Sequence, residues 1–482
     1  RALFSLAWPI MLSMALMFLL NIEDQIIVGQ LLEKEDLAAC ALGTVFFNLF
    51  WYFLCGAMSA VDTFCAQAHG AGRREDVGLW AQRGLVVCLA LCVPILLLWC
   101  FAAEAIIRDV FRQDPRVSAQ AAVFVRHLAP GLPAFVVADV LRRWLQAQGI
   151  LRPAVTTGVL VNVLNVGANF LLIRTLGFVG SPIATSLCRV AQVVVLIAIV
   201  RCRKLHLLPA ARHSEDSALP PPSVPASCAS TWPALSWSRL MQPVALKRFV
   251  AVALPGAGGL LLEAGAFEMT TLIVGSLGNI DVLDAHFVML SLCGFSFVVF
   301  PLAISIAGSI RVGNCLGADD PARAKFAAWA QVFIGSFFML VNGIIFASAR
   351  NVLGALFTNA VPVIEAVALV APIAATFQIV DGLQGTAAGA LRGCGRQKYV
   401  LWTNFLGFWL IGLPFGATLA FSAEMGVYGV WWGLVAGLSI AAGVSLVLLG
   451  RIDWATEARL AKDRLFGPGG GLMGANGATS EG

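Results

Sequence analysis

Twelve stretches of mainly apolar residues, separated by short polar connections, leave this chain little choice of fold. A bilayer core about 30 Å thick needs roughly 20 apolar residues per helical crossing. Hydrocarbon offers the backbone no water, so each stretch must satisfy its own amide and carbonyl groups as a helix. The stretches fall near residues 2–32, 37–62, 79–107, 119–141, 154–174, 178–200, 249–277, 282–310, 325–347, 361–391, 400–421 and 426–450. With 59% hydrophobic and 12% charged residues and a mean hydropathy of +0.84, the chain lies outside the range of soluble domains. The expected fold is an all-α polytopic membrane protein, with twelve transmembrane helices in two pseudo-symmetric six-helix bundles around a central cleft.

The organisation reads as an N-terminal lobe over 1–200, a cytoplasmic linker over 201–247, a C-terminal lobe over 248–450 and a largely disordered cytoplasmic tail over 451–482. Pro220, Pro221, Pro222 and Pro225 stop any helix in the linker. The tail ends in a Gly-rich stretch with no Gly-Lys-Ser/Thr, so it does not read as a phosphate loop. The halves also echo each other. Trp80-Ala81-Gln82 recurs as Trp329-Ala330-Gln331, each opening the third span of its half, and Gly149 and Gly395 both follow a fourth span. Six helices per repeat orient both copies alike, a geometry suited to alternating access.

Lys and Arg concentrate on the even-numbered connections, among them Arg201, Arg203, Lys204, Lys247 and Arg248. Glu33, Glu35, Asp281, Asp284 and Glu424 fall on the opposite side. The positive-inside rule therefore places both termini in the cytoplasm; a plasma or a vacuolar membrane is expected, and the sequence does not choose between them. The net charge of +5 is small for this length, and no basic stretch interleaved with aromatics points to nucleic acid. The 12 cysteines lie mostly in apolar runs without Cys-x-x-Cys spacing and read as small buried hydrophobes. The chain opens at Arg1 rather than methionine, which leaves room for an N-terminal extension. Ala2 to Leu20 is too long and too uniformly apolar for a signal peptide and counts as a span.

Ionisable residues inside such spans cost about 2.5–3.5 kcal/mol each on the lenient scale, so each needs a reason. Asp381 lies about ten residues before Arg392, roughly 15 Å deep at about 1.5 Å per residue. Glu263 follows Pro255, a candidate structural or gating residue, in the seventh span. Carboxyls so desolvated, with no basic partner on their own span, are candidates for proton exchange near physiological pH. Glu268, five residues on, turns to another face and is placed at the outer mouth of the cavity. Asp24, beside Glu23 in the first span, admits a coupling role or a structural one. Asp139 precedes Arg142 and Arg143 at helical ion-pair spacing, which predicts a snorkelling salt bridge. Asp62, at the end of the second span, is expected to anchor the loop carrying Arg73 and Arg74. His127 and His286 lack a second ligand at i+3 or i+4 and read as packing residues. Pro130, Pro133, Pro301, Pro362 and Pro372 mark expected kinks.

Several segments together carry a family resemblance. They are Asp62-Thr63-Phe64-Cys65-Ala66-Gln67-Ala68-His69-Gly70, Phe111-Arg112-Gln113-Asp114-Pro115 and Leu145-Gln146-Ala147-Gln148-Gly149-Ile150 in the first half. In the second they are Leu262-Glu263-Ala264-Gly265-Ala266-Phe267-Glu268, Arg311-Val312-Gly313-Asn314 and Leu391-Arg392-Gly393-Cys394-Gly395. From about Leu3 to Ile452 the chain resembles the multidrug and toxic compound extrusion family, its eukaryotic branch in particular. The resemblance implies a twelve-helix antiporter that expels organic cations or related metabolites against protons, or against sodium in some bacterial members. It associates Glu263 and Asp381 with proton coupling and matches Asp24 to an N-terminal-lobe acid of bacterial members. Two departures stand out. Ala264-Gly265 replaces a frequent aromatic pair, which is expected to widen that wall, and Ser291 stands where animal members often carry another acid, an expectation of weaker cation selectivity.

The function so read is secondary active export of small cationic or amphipathic organic compounds by a monomer in the bilayer. The coupling ion is a proton, with sodium the alternative, and no cofactor or metal is expected. A lipid or glycan-precursor flippase would favour a basic cavity rather than deep acids. A channel would need a filter loop, and an enzyme a nucleophile or ligand motif that the spans do not carry.

Overall fold

The computed structural model describes residues 2–32, 34–207 and 230–467. The linker prolines Pro220, Pro221, Pro222 and Pro225, Glu33, and the tail from residue 468 lie outside the described residues. Among the described residues every regular element is helical. The principal helices of the first half are α1 (Ala2–Leu31), α2 (Lys34–Gly70), α3 (Arg74–Phe101), α4 (Pro115–Leu128), α5 (Gly131–Ala147), α6 (Arg152–Leu176) and α7 (Gly180–Cys202). They are followed by α8 (Pro243–Gly275), α9 (Ile280–Phe297), α10 (Ala303–Gly317), α11 (Pro321–Ser348), α12 (Val361–Gly393), α13 (Gln397–Asn404), α14 (Leu413–Phe421), α15 (Val427–Gly450) and α16 (Trp454–Phe466).

These helices resolve into the twelve crossings read from the sequence. Among the described residues, ten stretches are long and apolar enough to cross a bilayer, and α4 with α5 makes one more, bent by 50° where Pro130 stands between them. One of the ten, Arg152–Cys202, is 51 residues long and holds both α6 and α7, which pack against each other across a turn at Gly177–Val179. Gly177 has φ +67°, a conformation that a side chain resists, so the chain reverses there. Pro301 sits in a π-helical turn, Val298–Leu302, joining α9 to α10. A second π-helical stretch, Phe405–Gly412, joins α13 to α14. Pro362 causes no kink. It occupies the first turn of α12, where its missing N–H has no partner to lose.

Contacts divide the chain into Leu12–Ala253, here the N unit, and the remainder, the C unit. In each, large apolar side chains face outward along the spans, as a lipid solvent allows; Phe326, Phe333 and Phe337 of α11 are 77%, 75% and 55% exposed. Within the N unit, the described C-terminal part of the linker, residues 230–242, closes over the basic ends of α3 and α5. Trp144 Nε1 donates to the Thr231 carbonyl at 3.2 Å, Gln82 donates to the Pro233 carbonyl at 2.9 Å, and Arg83 donates to the Arg239 carbonyl at 2.8 Å.

Residues 454–466 correct the expectation of a largely disordered tail, because α16 buries Trp454, Ala458 and Ala461 against α10 and α11 of the C unit. Asp453 caps its first turn, accepting from Ala455 N at 3.1 Å and Thr456 Oγ1 at 2.5 Å. The Thr456 hydroxyl holds the Asp453 carboxyl below its ordinary range.

Candidate functional site

In the C unit, α8 carries Glu263, α12 carries Asp381 and Gln384, α13 carries Asn404 and α15 carries Ser445. Burying polar groups in a span is costly unless each finds a partner, and all of these but Asp381 find one another. Asn404 Nδ2 donates to Glu263 Oε2 at 3.1 Å and to the Gly259 carbonyl at 3.0 Å. Gln384 Nε2 donates to Asn404 Oδ1 at 2.8 Å, and Ser445 Oγ donates to Gln384 Oε1 at 3.0 Å. Glu263 thus ends a relay of four side chains drawn from four helices. Gly258 leaves room beside Leu401, whose Cδ1 would lie 3.0 Å from a Cβ there and would have to shift.

Asp381 lies three residues before Gln384 on the same face of α12 and is 3% exposed. Its carboxyl makes no hydrogen bond or ion pair with a described residue. Arg392, on the same helix, donates instead to Ser305 Oγ at 3.3 Å and to the Gly385 carbonyl at 3.5 Å. Phe377, one turn before Asp381, meets Phe267 at 6.0 Å and Trp431 at 5.5 Å between ring centroids. Glu268, also on α8, is exposed and stands apart from the relay. Pro255 lies inside α8 without interrupting it. His286 is buried with Nε2 at 3.4 Å from Thr270 Oγ1, while His127 Nδ1 lies 2.8 Å from the Val123 carbonyl. The wall at Ala264-Gly265 is not widened, because the Trp409 indole lies where a Cβ at Gly265 would meet it at 3.3 Å and donates to the Leu262 carbonyl at 2.8 Å.

The N unit holds a second group of acids. Asp24 is 9% exposed and accepts from Asn165 Nδ2 and Asn169 Nδ2, each at 2.8 Å to Oδ1, and from Thr185 Oγ1 at 2.7 Å to Oδ2. Further along, Arg143 pairs with both Asp139 and Asp62, and Arg142 pairs with Asp139. Both readings made of this group from spacing need correction. Asp62 does not anchor the Arg73 and Arg74 loop, because α2 runs on to Gly70 and leaves Asp62 two turns inside the helix facing α5. The Asp139 pair does not snorkel either, since Arg142 and Arg143 are each 7% exposed.

Asn165, Asn169, Gln384, Asn404 and Ser445 are the residues that reasoning from charge alone passes over. Asn165 and Asn169 carry a signal, an amide at i and i+4 in an apolar run, whereas Gln384, Asn404 and Ser445 stand singly and carry none.

A family model described as MatE matches residues 9–192 and again residues 255–418, so one model recognises both halves. The multidrug and toxin extrusion protein 2 of Mus musculus is 31% identical over 466 residues, spanning 96% of this chain and 76% of its own length. The multidrug and toxin extrusion protein 1 of Rattus norvegicus is 30% identical over 457 residues, spanning 94% and 75%. Among solved structures, the eukaryotic MATE transporter AtDTX14 superposes with a TM-score of 0.85 at 27% identity, covering 96% of this chain and 98% of its own.

Proposed function

As this chain belongs to the MatE family of transporters, we propose that it exports small organic cations in exchange for protons, with Glu263 and Asp381 as the proton-exchanging groups. The observation that carries this reading is the placement of both acids within one bundle: Glu263 on a hydrogen-bonded relay and Asp381 one turn from it, with neither carboxyl in an ion pair among the described residues. A carboxyl that is neutral when protonated and anionic when not offers the same place to a proton or to an organic cation, so the two compete. The aromatic rings beside Asp381 suit a flat cationic substrate.

The energetics suffice. Each pH unit across the membrane supplies about 1.4 kcal/mol, and each proton moved through 100 mV about 2.3 kcal/mol. One or two protons drive concentrative export. Alternating access between the two halves, a monomeric state, cytoplasmic termini and a plasma or vacuolar membrane complete the proposal.

The test is export of a fluorescent organic cation from proteoliposomes under a pH gradient of either sign. Efflux should reverse with the gradient, and Glu263→Gln or Asp381→Asn should abolish coupling while substrate still binds. Transport that ignores the gradient, with both variants active, would make the acids structural and move the function to sodium coupling or lipid flipping.

A further inference from the structure

Arg189 of α7 is a guanidinium inside a span, 7% exposed, with no direct hydrogen bond or ion pair to a described residue. A cation so placed is costly unless an opposite charge answers it. Its guanidinium lies 4.9 Å from the centroid of the Phe135 ring.

The cavities around it identify the missing charge. One, of about 20 Å³, is walled by Asp24, Thr44, Phe47, Thr185 and Arg189. A second, of about 40 Å³, places Arg189 near Asp139, Arg142 and Asn162. Both are water-sized, far below the few hundred Å³ that an organic substrate fills. Asp139 already has two guanidiniums, those of Arg142 and Arg143, and Arg143 also takes Asp62. Of the other buried guanidiniums described in this unit, Arg142 and Arg143 are taken by Asp139 and Asp62, and Arg83 donates to the Arg239 carbonyl at 2.8 Å and to Gln242 Oε1 at 3.4 Å, far along the chain from Asp24; Asp24 and Arg189 are left as the buried acid and guanidinium that share a cavity without a direct ion pair. Thr185 and Arg189 lie four residues apart on one face of α7, and Thr185 already donates to Asp24 Oδ2 at 2.7 Å.

We propose that Arg189 is the built-in counter-ion of Asp24, a positioning residue that keeps the N unit supplied with its own cation. A carboxylate with a permanent guanidinium neighbour is closed to an exchanging proton or metal ion. This deepens the proposed function, and rests on it only for the consequence that coupling is left to Glu263 and Asp381.

The test is a double-mutant cycle on thermal unfolding of the purified protein in detergent, which needs no transport and so fails or succeeds independently of the proton-coupling reading. Arg189→Gln should lower Tm by about 3–5 °C. Asp24→Asn added to it should recover at least half the loss, Arg189→Lys should recover most of it, and Asp139→Asn added to Arg189→Gln should recover none. If the losses at positions 24 and 189 simply add, or if Arg189→Lys is as damaged as Arg189→Gln, the pairing is overturned. Should Arg189→Gln yield no folded protein, the same comparison is read as monodisperse yield: recovery by Asp24→Asn and by Lys supports the pair, and recovery by neither overturns it.

Discussion

The side-chain amide of Asn404 donates to the carboxylate of Glu263 at 3.1 Å, and its carbonyl oxygen takes the amide of Gln384 at 2.8 Å. One neutral residue thereby ties a candidate proton-exchanging acid to the helix that carries the other. The orientation of Asn404 is fixed at both ends, so it can donate to the carboxylate only while Gln384 donates to it.

Asn404→Ala should therefore uncouple transport before it unfolds the protein. It strands the Glu263 carboxylate and the Gln384 amide in a span, at about 1–3 kcal/mol. A loss of 1.4 kcal/mol from the coupled step is about tenfold in rate, so pH-driven efflux should fall by about that factor with substrate binding retained. Asn404→Asp should be worse, since it sets a second carboxyl beside Glu263. Proteoliposome efflux at matched protein density measures both, and a wild-type pH response in Asn404→Ala would sink the relay.

Arg143 is the shared partner of Asp62 and Asp139 in the N unit. Replacing it with Met leaves Asp62 without a guanidinium, whereas Asp139 keeps Arg142. Breaking a buried pair from one side costs about 3–5 kcal/mol, so Arg143→Met should be strongly destabilised and Asp62→Asn in the same chain should restore most of the loss. Arg143→Lys should fall between, because one ammonium cannot bridge both acids as a guanidinium does. Thermal inactivation in detergent discriminates these; an Arg143→Met protein as stable as the wild type would mean the acids are served from elsewhere.

The crossings were legible because hydrocarbon imposes one rule, that apolar length makes a helix, and Glu263 and Asp381 were legible because a charge in such a helix needs a reason. What spacing could not supply was the partner on another helix. Asp62 reads as the end of a span when hydropathy alone sets the boundary, yet α2 continues to Gly70 and turns it toward Arg143. Gly265 reads as empty space, and the chain fills it with Trp409 from a distant span. Amides such as Asn404 and Gln384 carry no charge and so announce nothing until the helices are brought together.

Gly429, Gly433 and Gly437 recur every fourth residue along α15, and this face meets glycines of the preceding span. A Cβ on Gly433 would lie 2.3 Å from Gly416 Cα and 2.6 Å from the Gly412 carbonyl, contacts with backbone that no rotamer can relieve. Helix pairs in lipid depend on such close approach because no hydrophobic force holds them. Gly433→Ala should cost about 1–3 kcal/mol by overpacking, and Gly433→Leu should abolish folded yield. Size-exclusion profiles of the two variants check this. Gly443→Ala, on the same helix with nothing within 4 Å of its Cβ, should be silent.

Glu457 of α16 is wholly buried on the C unit between Arg396 and Arg464, with Arg464 Nη2 donating to Oε2 at 3.2 Å. The two guanidiniums keep 27% and 19% of their side-chain surface exposed, so water relieves part of what Glu457→Gln takes away. The expected loss is therefore about 1–3 kcal/mol, the range for an unmet polar group, rather than the 3–5 of a fully buried pair. It should appear locally, as faster hydrogen exchange across Trp454–Phe466 with the spans unchanged, because α16 is the element that the carboxylate pins. Lys462 supplies the internal comparison. Its 2.7 Å bond to Asp319 joins two partly exposed groups, and such pairs contribute about 0–1 kcal/mol, so Lys462→Ala should leave exchange in α16 nearly untouched. Equal protection in wild type and Glu457→Gln would show that Trp454, Ala458 and Ala461 hold the helix by burial alone.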